Sequence, residues 1–374
     1  MKSVQERVAA LRPHPINAFG QSLVPFVIAI LLAVLMDKVI GPAAGATWAK
    51  ILLDVGIAIL LAGSLNVVNG YAGQFSIGHA GFMLVGGYAA AWLTFYGGIH
   101  FFGTKEAYGG FMGNGNLLFL GGCVLGGVIA ALFGVIVGLP SLRLRGDYLA
   151  IVTLGFGEIV RVLGQITARQ PKNVKQIQER ELSELANNLG GAEGFSQIPG
   201  YTTLFFVYAL AFILLVLVYR LKYSSKGRAL LAVRENEIAA EAMGVDTTRA
   251  KVVAFIFSAF FAGIGGSLYA HQLGALDPKE LGFMKSIDLV IIVVIGGMGS
   301  ITGIVLGATI LVVLPEVFRS FADYRMIVYA LALVIVMILR PQGIMGVHEL
   351  WELSWWRKHV TGKLPAFLGG GKPS

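Results

Sequence analysis

Charge is scarce in this sequence. Of its 374 residues only 13% are Asp, Glu, Lys or Arg, about half of the roughly 25% found in ordinary soluble domains. With 56% hydrophobic residues and a mean hydropathy of +0.75, a fold surrounded by water has too little polar surface to cover the apolar remainder. That excludes a soluble globular protein and leaves an integral membrane protein of the helical type. Cysteine is nearly absent. The lone Cys123 sits in an apolar run, so neither a disulfide framework nor a Cys-based metal site is available. No G-x-x-x-x-G-K-[ST] phosphate loop occurs: Gly371-Lys372-Pro373-Ser374 stands at the very end, with no helix after it and the wrong residue after Lys. H-E-x-x-H, a Cys/His cluster and G-x-S-x-G are missing too. The chain has no motif for nucleotide hydrolysis or covalent catalysis, and no metal or cofactor site is expected within it.

Glycine is plentiful instead. Its 50 residues are nearly twice the share of roughly 7% that is usual; in membrane helices small residues allow close packing and broken helices. The formal charge of +8 raises a nucleic-acid reading, but the basic residues lie in loops and tails between apolar runs. There they set topology and meet lipid headgroups, so membrane lipid is an expected partner and nucleic acid is not. The N-terminus, with Lys2, Arg7 and Arg12 before an apolar run at 23–36, has two readings. The run begins late, and the only small-residue cleavage pattern nearby is Ala44-Gly45-Ala46. An uncleaved first membrane helix is favoured over a secretory signal.

Apolar windows of about 20 residues place spans at 22–40, 50–68, 77–95, 117–139 (stopped by Pro140), 148–166, 203–219 and 252–270. Next come an apolar piece at 287–295, the Gly-rich break GGMGSITG at 296–303, a second piece at 304–314 and a last span at 326–339. The expected class is all-α: a polytopic helical membrane protein of about 8–10 transmembrane or re-entrant helices with Gly-rich broken elements. The loop 220–251 holds Arg220, Lys222, Lys226, Arg228, Arg234, Arg249 and Lys251, which the positive-inside bias places in the cytoplasm. Arg143 and Arg145, and the basic N-terminus, fall on the same side. The mixed-charge segment 168–201 falls outside. One continuous span over 287–314 would strand the basic tail (Arg340, Arg357, Lys358, Lys363, Lys372) outside. About nine residues at 1.5 Å each cover under half of a roughly 30 Å core, so a re-entrant or broken element is expected there, returning the tail to the cytoplasm. The implied organisation is a cytoplasmic segment 1–21, a transmembrane domain 22–346 with the loop 220–251, and a cytoplasmic tail 347–374.

Four groups of residues carry possible chemistry. In LNVVNGYAGQFSIGHAGFMLVGGYAAA (65–91), Asn66, Asn69, Gln74, Ser76 and His79 interrupt apolar sequence, with Gly70, Gly73, Gly78 and Gly81 between them. Such a segment needs its backbone satisfied by protein or a water-lined cavity. A helix starting near Ser76 directs N–H groups at an occupant such as a carboxylate; a tight turn followed by a Gly-faced packing helix is the plainer alternative. Glu158 and Arg161, spaced i, i+3 within a span, are either a pathway pair or a mutually neutralised structural one. Gly296, Gly297, Gly299 and Ser300 permit close backbone approach, as part of a gate or of a sharp turn. Finally, 229–243 has helical spacing without Gly or Pro. There Glu235, Glu237 and Glu241 alternate with Arg228 and Arg234, while Ile238, Ala239, Ala242 and Met243 are free to face a partner. Gly244 stops the helix. This is either a solvated face or a segment that docks into a groove on another protein.

Several long motifs in order now matter together: GYAGQFSIGHAGFMLVGGYAAA, RENEIAAEAMGVDTTRAKVVAFIFSAFFAGIGGSLYA, VVIGGMGSITGIVLGATILVVLPE and YRMIVYALALVIVMILRPQGIMG. Across 65–346 the chain resembles the branched-chain amino-acid ABC-importer permeases of the LivM type. The resemblance implies a subunit of the bacterial inner membrane with both termini cytoplasmic. Its partners would be a homologous second permease, two cytoplasmic ATP-binding subunits that hold ATP and Mg, and a periplasmic substrate-binding protein. It also implies that Arg234, Glu235, Glu237, Ala239, Glu241, Ala242 and Gly244 belong to the coupling loop that seats in the ATPase. Of the coupling consensus Glu-Ala-Ala-x-x-x-Gly, Glu237-Ile238-Ala239-Ala240 and Glu241-Ala242-Met243-Gly244 each match a part. The translocation path would be lined by Asn66, Asn69, Gln74, Ser76, Gly78, His79, Glu158, Arg161, Gly296, Gly297, Gly299 and Ser300. Branched-chain or other hydrophobic amino acids are the implied substrates, with urea, amides and aromatic acids as those of similar permeases. A stand-alone secondary transporter would need coupling-ion ligands at mid-membrane, for which only Glu158 and Arg161 qualify. A receptor without transport is disfavoured by the two Gly-rich breaks.

Overall fold

A computed structural model describes residues 15–110, 113–141, 147–171 and 173–320, with 330–331, 334–335, 337–340, 342–346 and 348–352. Lys2, Arg7, Arg12, Arg143, Arg145, Arg357, Lys358, Lys363 and Lys372, which entered the orientation argument, lie outside the described residues. The fold is all-α, as expected; among the described residues the one extended pairing is an antiparallel bridge between Phe195 and Leu276. The apolar stretch Leu23–Tyr71 runs for 49 residues, roughly 70 Å as a straight helix and more than twice a bilayer core. A π turn at Met36–Ile40 and a bend at Gly45, where φ is +78°, divide it. Helix α1 (Pro15–Leu35) and helix α2 (Gly41–Asn66) then both lie against α6 (Leu204–Tyr223). The Asp37 carboxylate accepts a hydrogen bond from Phe205 N–H (3.3 Å) at the start of α6.

Between them run α3 (His79–Trp92, continued through a π turn to Phe102), α4 (Asn114–Ser141) and α5 (Asp147–Ile166). After α6 come two short helices, α7 (Ser225–Glu235) and α8 (Glu237–Ala242), then α9 (Thr247–Leu273). The chain continues into α10 (Phe283–Gly296) and α11 (Ile301–Val317). Among the described residues, the expected spans up to 314 are present as helices with shifted ends. Helix α1 begins at Pro15 rather than 22, and α10 begins four residues before the expected 287, so it is 14 residues long. At about 21 Å it still falls short of a full crossing. The break is narrower than the Gly-rich sequence suggests: only 297–300 leave the helical state, and Ile301–Gly303 already belong to α11. Of the last expected span, 330–331, 334–335 and 337–339 are helical, and the rest lies outside the described residues.

Helix α9 is the axis of the bundle. Its sequence FFAGIGGSLYA carries small residues on several faces, and Ala262, Gly263, Gly265, Gly266 and Ser267 are all buried. Gly86 of α3, Gly126 of α4 and Gly263 of α9 meet backbone to backbone; a Cβ on any of them would penetrate a neighbouring helix's main chain. Three helices can approach this closely only where the side chain is absent. The mixed-charge segment 168–201 folds over the end of α3. Ile177, Leu185 and Phe195 are buried, Trp92 Nε1 donates to the Leu185 carbonyl (3.2 Å), and Tyr96 Oη donates to the Asn188 carbonyl (2.7 Å).

Leucine in place of Gly263 should destabilise the bundle by on the order of 3 kcal/mol through overpacking. Gly121→Leu on the open face of α4, where nothing lies within 4 Å, should leave the melting transition in detergent unchanged. Equal melting of the two variants would contradict the three-glycine contact.

Candidate functional site

The polar residues converge where α6 ends. Arg220 and Lys222 close that helix, and α7, α8 and the first turn of α9 follow directly. We call this the basic end. The two short helices and α9 each have a side-chain cap: Ser224 Oγ accepts from Gly227 N–H (3.1 Å), Asn236 Oδ1 from Ala239 N–H (3.0 Å), and Asp246 Oδ1 from Arg249 N–H (2.9 Å). Asn236 has an extended backbone, φ −160°, so the single helix expected over 229–243 is two. The reason is local: an Asn carboxamide competes for a helix-starting N–H and favours a cap over a helix interior. Gly244, at φ +83°, ends α8 in the left-handed conformation expected of it.

Both Gly-rich breaks meet at this end. A π turn (Val67–Tyr71) leads out of α2 and carries the Gly70 carbonyl on one side of the break. Arg234, the last basic residue of α7, donates from Nη1 to that carbonyl (2.7 Å) and stands 3.5 Å from the Met298 carbonyl. Lys222 Nζ donates to the Gly299 carbonyl (3.1 Å), and Asn66 Oδ1 accepts from Gly299 N–H (2.8 Å). Gly297 and Gly299 have φ of +113° and +95°, which L side chains rarely adopt. The turn is therefore built from glycine and held by three side chains, from α2, α6 and α7.

The far side of the turn is held by a carboxylate. Glu349 is fully buried. It accepts from Ile301 N–H (3.1 Å), Thr302 N–H (3.0 Å), Thr302 Oγ1 (2.9 Å) and Ser300 Oγ (3.2 Å), and pairs with Lys222 at 2.5 Å. A buried carboxylate at a helix N-terminus is favoured by the oriented N–H groups, and the lysine offsets its desolvation. Ile344 and Met345 N–H groups donate to the Ile295 and Gly296 carbonyls, so the strand of chain before Glu349 satisfies the end of α10 as well.

The remaining expected site residues have other roles in the geometry. Asn69 Oδ1 accepts from Ser76 N–H (3.1 Å) and bridges the break. Gln74 is half-buried beside it. Gly78 packs so tightly on Thr153 of α5 that no Cβ fits, and buried His79 shares a 3.0 Å hydrogen bond with Ser64 Oγ. The expected helix start near Ser76 falls at His79, and its first N–H groups are taken. Ile77 N–H donates to Thr153 Oγ1 (3.1 Å), Ala80 N–H to Ser286 Oγ (3.0 Å) and Gly81 N–H to the Gly78 carbonyl. Two of the N–H groups that could meet a carboxylate thus have side-chain hydroxyls as partners. Glu158 and Arg161 form their ion pair (2.7 Å) midway along α5, and Glu158 Oε1 also accepts from Phe283 N–H (3.0 Å), capping α10. They are not part of the basic-end cluster, but they hold the other end of the same helix.

At the outer surface of the basic end, Glu235, Ile238, Ala239, Glu241, Ala242, Met243 and Gly244 are exposed, with Ile238 at 65% and Met243 at 84%. Glu237 differs: it faces inward and pairs at 2.5 Å with Lys251 of α9, itself buried. Sequence reading missed Ser64, Thr153, Ser286, Lys222 and Glu349. Lys222 counted there only as a topology charge. Glu349 lay in what read as a solvated tail, where a buried carboxylate has no sequence signal.

The family model described as a branched-chain amino acid transport system permease component matches residues 47–339. The high-affinity branched-chain amino acid transport system permease protein LivM of Salmonella typhimurium is 39% identical over 306 residues, covering 77% of this chain and 68% of that protein. LivM of Escherichia coli is 39% identical over 307 residues with the same coverage. A probable branched-chain amino acid transport permease protein LivM of Methanocaldococcus jannaschii is 25% identical, covering 79% of this chain and 92% of that protein. No solved structure matches the chain.

Lys222→Met strands the Glu349 carboxylate in the interior and should cost about 3–5 kcal/mol of stability, read as a lower melting temperature. Adding Glu349→Gln should recover part of the loss, since the isolated charge is then removed. Additive effects of the two changes would argue against the pair.

Proposed function

The chain belongs to the permease components of branched-chain amino acid transport systems, a multi-pass membrane subunit of an ABC importer and not an enzyme, and from that premise we propose that it forms half of the translocation path and that Arg234 carries the movement of its ATPase partners into the two Gly-rich breaks. The carrying observation is that one guanidinium, one residue from the exposed α8 region, contacts carbonyls of both breaks. Exposed Ile238 and Met243, with Glu235 and Glu241 around them, suit a shallow groove on a cytoplasmic ATP-binding subunit. Two such subunits, which bind the ATP and Mg, a homologous second permease and a periplasmic binding protein complete the assembly.

The positive-inside bias puts the basic end, both termini and the loop 220–251 in the cytoplasm of a bacterial inner membrane. Helix α11 then ends outside, and the tail returns through the last span to place Glu349 beside Lys222. A zwitterionic amino acid cannot enter hydrocarbon without losing many kcal/mol of hydration. In this reading Asn66, Gly296, Gly297, Gly299 and Ser300 form the cytoplasmic gate. Asn69, Gln74, Ser76, Gly78 and His79 hold the neighbouring break in register, and Glu158 with Arg161 anchors α10. When the ATPase subunits close, α8 moves, Arg234 pulls on both breaks, and the turn at 297–300 shifts against α2.

Two experiments test this. Met243→Asp should abolish co-purification of the ATP-binding subunits, whereas Arg234→Ala should keep the complex and its ATPase activity while cutting amino-acid uptake by about tenfold or more. Full uptake with Arg234→Ala would break the proposed link. A reporter fused after Arg319 should be active only on the periplasmic side, and one inserted in α7 only in the cytoplasm. The reverse pattern would invert the orientation.

A further inference from the structure

One cavity in the bundle has walls of both charge signs. It has a volume of about 570 Å³ and lies between α2, α9, α10 and α11, lined by Lys50 and Asp54 of α2 and by Lys285 and Asp288 of α10. Its size falls in the range of small-molecule sites. Lys50 is about 16 residues from Asn66, roughly 24 Å along one helix, so the charged rim lies toward the end opposite the basic one. Lys50 and Asp288 are exposed, while Asp54 and Lys285 are half-buried. None of the four is in an ion pair with another described residue. Lys285 Nζ stands 5.2 Å above the Tyr269 ring, and Asp54 accepts from Gln272 Nε2 (2.7 Å). The oxygen of that carboxamide, Gln272 Oε1, is buried without a partner among the described residues. Below the charged rim the lining turns aliphatic: Ile57 and Leu61 face Leu289, Ile292 and Leu311.

We propose that this cavity is a transit site for a free α-amino acid with a branched aliphatic side chain. Two lysines and two aspartates sum to no net charge, as a zwitterion does. They offer separate partners for a carboxylate (Lys50, Lys285) and an ammonium group (Asp54, Asp288). Charge-assisted hydrogen bonds of this kind replace the hydration that each end of the ligand must give up. The aliphatic floor takes the side chain and penalises a polar one. A comparable cleft of about 530 Å³ lies between α3, α4 and α5, but Trp92, Phe133 and Leu163 line it and no charged residue does; it has nothing to hold either end of a zwitterion. One wall of the charged cavity is α10, the helix held at both ends by Glu158 and by the gate turn. A shift of α10 therefore changes the cavity and the gate together.

This inference rests on the reading of the chain as an amino-acid permease, and one set of measurements separates their failures. The complete transporter with its binding protein, in liposomes, is assayed for ATP-driven uptake of L-leucine. Asp54→Asn and Lys285→Gln should each lower uptake by about tenfold or more, with ATPase stimulation by the liganded binding protein retained. A variant that leaves all four charges in place guards against misfolding. Leu273→Cys, on the cavity wall, should react with a water-soluble thiol reagent, and L-leucine should slow that reaction while 4-methylpentanoate, which lacks the ammonium group, should not. Uptake by the wild type that both charge variants leave intact, or labelling that L-leucine does not slow, would overturn the transit site alone. A wild-type complex with active ATPase and no leucine uptake would overturn the permease reading and the site with it.

Discussion

A backbone N–H or carbonyl inside a membrane bundle has no water to bond, so every place where a helix breaks must find its partners in protein. The molecule depends on how that demand is met at two breaks. Between α2 and α3 the ladder is interrupted over 72–78, and Asn69, Thr153 and Ser286 supply partners on either side of it. Between α10 and α11 the interruption is four residues long, and Asn66, Lys222, Ser300 and Glu349 supply them. The two breaks share Asn66 and Arg234 as partners, so in the proposed cycle they rearrange together. A constraint of backbone chemistry thus ties elements 233 residues apart in sequence.

The same contacts explain which parts are rigid. Around Gly86, Gly126 and Gly263 the helices touch main chain to main chain, and any sliding there produces overlap at once. The α10–α11 hairpin buries apolar side chains against α2, while the ends of α10 and its turn are held by directional bonds from Glu158, Asn66, Lys222 and Arg234. Such bonds can be exchanged for others after a shift of a few ångströms, whereas close backbone packing cannot. A transporter subunit needs both properties, and here they belong to different helices.

Much of this was legible in sequence. Low charge, apolar run lengths and the Gly-rich breaks gave the class, the spans and the location of both breaks, because hydrophobic periodicity and glycine report directly on local backbone state. The pairing of Glu158 with Arg161 followed from their spacing. What was hidden depended on contacts between distant segments. Nothing in Thr153 or Ser286 announces that their hydroxyls cap a helix in another part of the chain. Asn236 was read as part of one helix because no Gly or Pro marked it, although Asn is itself a capping residue. Lys285 and Asp288 fell at the edge of an apolar window, and only the fold sets them opposite Lys50 and Asp54. At the start of α3, where the sequence offers N–H groups to a carboxylate, the hydroxyls of Thr153 and Ser286 accept from two of them: a helix N-terminus inside a bundle is as open to a neighbour's hydroxyl as to a ligand.

The shortness of α10 follows from the same logic. A helix crossing the full bilayer would satisfy its own backbone and be held by packing along its length. A helix of 14 residues starts at the level of Glu158, midway along α5, and needs an external cap there. Glu158 provides it and takes the compensating charge from Arg161. With its C-terminal end met by the Ile344 and Met345 N–H groups, α10 has polar partners at both ends and an aliphatic face, Leu289 and Ile292, against the charged cavity. Lengthening it would make the hairpin self-sufficient and cut its dependence on α2, α5 and α6. In the proposed cycle, a half-span is thus the form in which movement at the basic end reaches the cavity near the opposite one.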